Sequence, residues 1–168
     1  EQPSTTAIRW NHFPLTVYIN DDFILQKNPE YATDARRALD IWQSTGIVSF
    51  TVVDSPEADI TIEWVPSLKE KATDTLGNTD LKFIKISQFG IIQNATIGLL
   101  TRSESTQLNS KDMTNLALHE IGHAIGLQHT SEDDIMNPTL TIPSNAVKEI
   151  STTNTNNLQE LYKSPAKP

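Results

Sequence analysis

The chain has 168 residues, 37% of them hydrophobic and 20% charged, the composition of a globular protein long enough to bury a core without disulfide or metal staples. It carries 13 Lys and Arg against 21 Asp and Glu, a formal net charge of -8 and no basic run, which argues against a nucleic-acid partner because phosphate binding relies on clustered Lys and Arg. The absence of cysteine excludes disulfides, thiol catalysis and Cys-ligated zinc, so any metal must be held by Asp, Glu or one of four His: His12, His119, His123 and His129.

No apolar stretch approaches the ~20 residues that span a bilayer, and no signal peptide is legible at Glu1-Gln2-Pro3. The first predicted strand is Leu15–Asn20, where Leu15, Val17 and Ile19 alternate with Thr16 and Tyr18. A helix is predicted from about Pro29, which suits a first-turn position, to Ser44. Ala35, Ala38, Leu39 and Trp42 give it an apolar stripe, and Gly46 is placed to stop it. Strands are predicted over Val48–Val53 and Asp59–Trp64, then a polar loop from Pro66 to Asp80 containing the Gly77-Asn78 turn signal. Leu81–Ser87 alternates again and carries Lys82 and Lys85, as exposed sheet edges tend to. Ala95–Thr101 is a more apolar strand, and 103–110 reads as polar loop.

A second helix is predicted from about Lys111 to Leu127, with Ser110 or Asp112 as caps and Gly126 placed to end it or turn the chain. Leu118, Ile121, Gly122 and Ile125 form its buried stripe, with Leu116, His119, Glu120 and His123 on the neighbouring face. A last short helix spans about Thr153–Tyr162, and 164–168 reads as a tail. Strands first and helices after predict an α+β fold, one mixed sheet with the two long helices packed against it.

The run His119-Glu120-Ile121-Gly122-His123-Ala124-Ile125-Gly126-Leu127-Gln128-His129 carries the chemistry. Residues four apart on a helix lie nearly above one another, so His119 and His123 can aim two imidazoles at one ion. Three protein ligands with an open position make the catalytic kind of zinc site. Zinc there lowers the pKa of a water to about 7, and Glu120 lies where its carboxylate can take that water's proton. His129 follows His123 by six residues, about 240° further round a continuous helix, out of reach of the ion. A left-handed bend at Gly126 would bring it back. An isolated H-E-x-x-H is sometimes only a helix with two solvated His. Three of the four His in one window, with Gly at the bend, tell against that here. His12, beside Trp10 and Phe13, reads as packed or solvated.

The motif resembles that of the metzincins, zinc endopeptidases with H-E-x-x-H-x-x-G-x-x-H followed by a methionine turn. Ile135-Met136-Asn137-Pro138 resembles that turn, with Met136 beneath the metal site. Among metzincins the chain is most similar to the matrixins, the family of the matrix metalloproteases. Trp10 to Ile19, Ala38-Leu39-Asp40-Ile41-Trp42, Ala58-Asp59-Ile60-Thr61-Ile62 and Leu158-Gln159-Glu160-Leu161-Tyr162 have matrixin-like counterparts. The resemblance implies a single metallopeptidase domain over 1–163, with an upper subdomain over about 1–129 and a lower one over about 130–163. It implies a zincin-like fold: a mixed five-stranded sheet with an antiparallel edge strand, two long helices and a short C-terminal helix. It implies one catalytic zinc on His119, His123 and His129, Glu120 as general base, a monomer, secretion, and a protein or peptide substrate. The rival reading is an inactive zinc-site binding module of the same fold.

Departures from the family pattern are expected to matter. With no His between His12 and His119, the family's second, structural zinc has no ligands here. The 66–80 loop, whose aspartates are Asp74 and Asp80, does not support the usual calcium sites. Asn137 stands where the family commonly has Tyr. No inhibitory cysteine exists in this chain, so any latency must come from elsewhere. In the family a peptide pairs with the edge strand; the candidates are Leu81–Ser87 and Phe89–Ile92, and the second, nearer the following strand, is preferred. Leu116, Pro138 and Leu140 are expected to line a hydrophobic substrate pocket. Glu132-Asp133-Asp134 reads as an exposed solvated turn ahead of a subsite for basic substrate groups.

Overall fold

The computed structural model describes residues 7–86 and 88–163. Glu1-Gln2-Pro3, Ser87 at the end of an expected strand, and the tail over 164–168 lie outside the described residues. The elements in chain order are β1 (Ala7–Arg9), β2 (Leu15–Asn20), α1 (Glu30–Gln43), β3 (Phe50–Val53), β4 (Ile60–Trp64), β5 (Gly77–Ile86), β6 (Phe89–Leu99), the short hairpin β7 (Arg102–Ser103) and β8 (Thr106–Gln107), α2 (Ser110–Ala124) and α3 (Thr152–Tyr162).

The sheet is mostly parallel. β3, β2, β4 and β6 run side by side in that order, with Leu15 opposite Phe50, Val17 opposite Ile60, and Ile60 opposite Ala95. β5 folds back antiparallel on β6 along its whole length, Gly77 opposite Leu99 and Ile86 opposite Phe89. β1 pairs parallel with the start of β6, Ala7 opposite Phe89, on the side of β6 that β4 occupies further along. The sheet therefore has six strands rather than five. A three-residue strand is too short to show periodicity, and β1 forms only because β6 extends past β4 and offers it an unpaired edge.

The edge preference is overturned by this pairing. Phe89–Ile91 is hydrogen-bonded on both sides, to β1 and to β5, and cannot accept another strand. The edge is β5, to which Leu81–Ile86 belongs. Its lysines carried the correct signal.

The central strands bury one face against the helices: Val17, Ile60, Ile62, Ala95, Ile97 and Leu99 are fully buried, while Thr16, Tyr18, Thr61, Glu63 and Thr96 between them are only partly covered. α1 lays Tyr31, Ala35, Ala38, Leu39 and Trp42 into the same core, and Trp42 donates its indole N–H to the Leu118 carbonyl of α2 at 2.8 Å. α2 begins one residue earlier than expected. Asn109 is the N-cap, and Asp112 answers it from N3 in a reciprocal capping box, at 2.7 and 2.9 Å. The segment expected as plain loop before it contains the β7–β8 hairpin.

α2 stops at Ala124 rather than Leu127. Gly126 takes φ +106°, Leu127 N–H donates to the Gly122 carbonyl at 2.9 Å, and Gly126 N–H donates to the His123 carbonyl at 3.0 Å. This is a Schellman ending, with glycine where the left-handed conformation falls. Two leftover carbonyls find side-chain donors: Ala124 accepts from Trp10 Nε1 at 2.8 Å and Ile125 from the Tyr162 hydroxyl at 2.7 Å. β1, the end of α2 and α3 are thereby fastened together directly behind the bend. No helix among the described residues is long and apolar enough to cross a membrane.

Candidate metal centre

His119 and His123 project from successive turns of α2 with ring centroids 4.8 Å apart. The bend returns His129 to them, its ring 5.2 Å from that of His119 and 4.8 Å from that of His123. Gly126 has a second reason to be glycine besides its φ. A Cβ there would lie 2.3 Å from the Ile8 carbonyl oxygen of β1.

The imidazoles are set by their far nitrogens. His119 Nδ1 lies 2.6 Å from the Ile135 carbonyl and His123 Nδ1 2.9 Å from the Leu127 carbonyl. A carbonyl only accepts, so both Nδ1 atoms carry a proton, and in the neutral ring, the form that binds a metal, each Nε2 presents its lone pair. Those two Nε2 atoms are buried and have no hydrogen-bond partner. Buried polar atoms without partners are rare and costly, and two that converge with lone pairs outward fit a cation. Outer-shell carbonyls that fix ring and tautomer are what metal-ligating His normally have.

A fourth group joins them. The Asp74 carboxylate, from the loop before β5, has Oδ2 3.0 Å from His119 Nε2 and 3.2 Å from His123 Nε2, and Oδ1 2.7 Å from His129 Nε2. Asp74 Oδ2 is likewise buried without a hydrogen-bond partner. One ligand atom from each of Asp74, His119, His123 and His129 can be chosen so that all lie within 4.8 Å of one another. The donor set fits zinc in chemistry, and the 2.7–3.2 Å contacts of Asp74 with the three His nitrogens are near the ~3.3 Å edge of a tetrahedron with zinc's ~2.0–2.1 Å arms.

Nothing local in the sequence marks Asp74. It lies far upstream of His119 in a loop without regular spacing, and only the return of β5 along β6 carries it to α2. It was legible only as a scarce acid in that loop.

Glu120 is fully buried. Its Oε1 accepts from Thr79 Oγ1 at 2.7 Å and Thr73 Oγ1 at 3.3 Å, while its Oε2 is buried without a partner. Burial, then the neighbouring Asp74 carboxylate, push its pKa up to about 9, against the pull of the two threonines. A divalent cation on the three His would act in the opposite direction. β5 can lie this close because it begins with glycine: a Cβ on Gly77 would be 2.8 Å from the Glu120 side chain.

Met136 is fully buried under α2, and a Cβ on Gly122 would lie 2.4 Å from its sulfur. Its carbonyl accepts from Thr130 N–H at 3.1 Å, closing the turn that delivers the Ile135 carbonyl to His119. The acidic run before it is not simply a solvated turn. Asp134 is buried and accepts from Thr130 Oγ1 at 2.6 Å, Met136 N–H at 3.0 Å and Ser151 Oγ at 3.0 Å. Asp133 pairs with Lys148 Nζ at 3.0 Å, and Glu132 accepts from Thr153 at 2.9 Å, so each acid has a partner within the fold.

Two cavities flank the His cluster. One of about 240 Å³ brings Leu116, Pro138 and Leu140 together with His119 and Asp74. The other, about 520 Å³, is lined by Ile8, Leu81, His123, His129 and Leu161 among others. His12 stands apart from the cluster, 2.9 Å from Asp59 Oδ2 and edge-on to Trp10.

A sheet carrying one antiparallel strand, and an H-E-x-x-H helix whose third His returns after a glycine bend, define a metalloprotease-type architecture. Over residues 9–163 the sequence matches the matrixin family model, and the chain belongs to the matrixins. That family comprises zinc-dependent protein hydrolases. No curated protein matches the sequence.

Proposed function

We propose that this chain is a zinc-dependent endopeptidase, secreted and acting as a single domain, with one ion held by His119, His123 and His129. The observation that carries the reading is the pair of buried Nε2 atoms on His119 and His123 that make no hydrogen bond, each on a ring whose Nδ1 is committed to a carbonyl. Zinc in such a site supplies Lewis acidity and a water acidified to a pKa near 7. Glu120, next in sequence to the first His, takes the proton from the attacking water and passes it to the leaving amine. A substrate strand adds antiparallel or parallel to the free edge of β5, whose Phe83 and Ile84 are exposed, and side chains beyond the scissile bond enter the cavity walled by Leu116, Pro138 and Leu140.

One observation favours the second reading, a zinc-holding module without activity: Glu120 is wholly covered and Asp74 sits on the three His. Cleavage of casein or a mixed peptide library separates the two readings. Hydrolysis that a chelator stops and added zinc restores supports the peptidase. Its absence in zinc-loaded protein at high concentration, with Asp74 removed as well, supports the inactive module.

A further inference from the structure

We propose that Asp74 is a fourth protein ligand, and that the segment Thr73–Leu76 is a strap by which the protein closes its own metal site. The inference rests on the zinc-site reading above and adds its regulation. Three His with an open position make a catalytic site, whereas four protein ligands make a closed one. The Asp74 carboxylate lies within 3.2 Å of every His Nε2, with one oxygen toward His119 and His123 and the other toward His129. It occupies the face of the cluster that the reaction needs free.

The strap is built to hold that position. Asp74 N–H donates to the Gly77 carbonyl at 3.0 Å and Thr73 N–H to Asn78 Oδ1 at 2.9 Å, making a tight turn on the start of β5. Leu100 N–H donates to the Leu76 carbonyl at 3.0 Å and ties the far end to the residue after β6. Thr79 N–H donates to Thr73 Oγ1 at 3.0 Å, and both threonine hydroxyls reach Glu120. One short segment thus covers the three His and the neighbouring carboxylate together. It also divides the cleft. Thr73 lines the larger cavity, and Asp74, Thr75 and Leu76 line the smaller one. A peptide lying across the His cluster from one cavity to the other would have to displace this segment. A carboxylate oxygen is among the ordinary ligands of zinc, so Asp74 is chemically able to hold that position.

The test compares wild type with Asp74→Ala and the isosteric Asp74→Asn, all zinc-loaded and checked for folding by thermal unfolding. Zinc affinity is measured by competition with a chromophoric chelator. Access to the ion is measured by calorimetric titration with acetohydroxamate, a small metal-seeking anion. Both variants are expected to lose zinc affinity by about tenfold or more, at least the range seen for residues that merely support a ligand. Acetohydroxamate should bind them about tenfold more tightly than wild type, because apparent affinity scales with the fraction of molecules whose site is open. Peptide hydrolysis should rise in parallel. Unchanged zinc affinity together with unchanged acetohydroxamate binding would overturn the proposal. If both shifts occur and no form cleaves peptide, the cap stands and the peptidase reading fails.

Discussion

Gly126→Ala strikes the residue on which the third His depends, and its cost can be worked from two independent features. The backbone holds φ +106° there, a region where a side chain costs about 1–3 kcal/mol. The new Cβ would lie 2.3 Å from the Ile8 carbonyl oxygen, a main-chain atom that cannot rotate away, and 2.8 Å from Leu161 Cδ2. Forced overpacking of that kind costs about 1–3 kcal/mol more. The sum, roughly 2–6 kcal/mol, corresponds to a fall in Tm of about 4–24 °C for a protein of this size. The strain is relieved by unfastening β1 from the bend or by straightening the chain, and straightening carries His129 away from its partners. Zinc affinity should therefore fall by about 10–100-fold along with Tm. Thermal unfolding of the metal-free protein and chelator competition on the loaded one measure the two effects. A Tm within about 1 °C of wild type with unchanged zinc affinity would refute the reasoning that glycine is required at this bend.

Asp134→Ala removes the acceptor of three hydrogen bonds beneath the methionine turn, and should cost about 1–3 kcal/mol, read as a lowered urea midpoint. Zinc at a hundred times its Kd should stabilise the folded protein by ~2.7 kcal/mol, a rise of roughly 5–11 °C in Tm, and His123→Ala should lose most of that rise in the same titration. Burial works to raise the Asp59 pKa, but its hydrogen bonds with His12 and Thr16 outweigh burial and leave it lowered. The folded value thus lies below the unfolded one, so the stabilisation is present above pH ~3.9 and is lost as pH falls through the folded value. Urea midpoints of wild type and Asp59→Ala should therefore differ at pH 7 and converge towards pH 2; a gap that stays constant would contradict the assignment.

Local patterns made much of this molecule legible. The i, i+4 spacing of His119 and His123, the glycine between His123 and His129, and Met136 are short-range features, and the structure gathers the three His around the bend at Gly126 with Met136 below them. The bounds of α1 and β2 followed from the apolar stripe and the alternation over residues that are buried as expected. Apart from the ends of α2, where Asn109 caps the helix and the Gly126 turn closes it at Ala124, the failures are non-local. β1 exists because a distant strand overhangs its neighbour. The edge preference failed because nearness to the following strand does not tell on which side a strand is paired. Asp134, in an acidic run, reads as solvated until the chain returns Thr130, Met136 and Ser151 to it. Asp74 is the largest omission, since a single carboxylate in a polar loop has no spacing to announce it, and the β5–β6 hairpin alone decides where it lands.

The central claim is that three His hold a zinc ion beside Glu120, whose carboxylate moves the proton during peptide hydrolysis. Its most direct test is Glu120→Gln, made in the Asp74→Ala background so that the strap cannot mask activity. Gln keeps the size and the threonine contacts but cannot accept the proton. The variant should bind one zinc per chain as its parent does, with peptide cleavage lowered by about 10²–10⁴-fold or more. Full zinc occupancy with undiminished cleavage would contradict it.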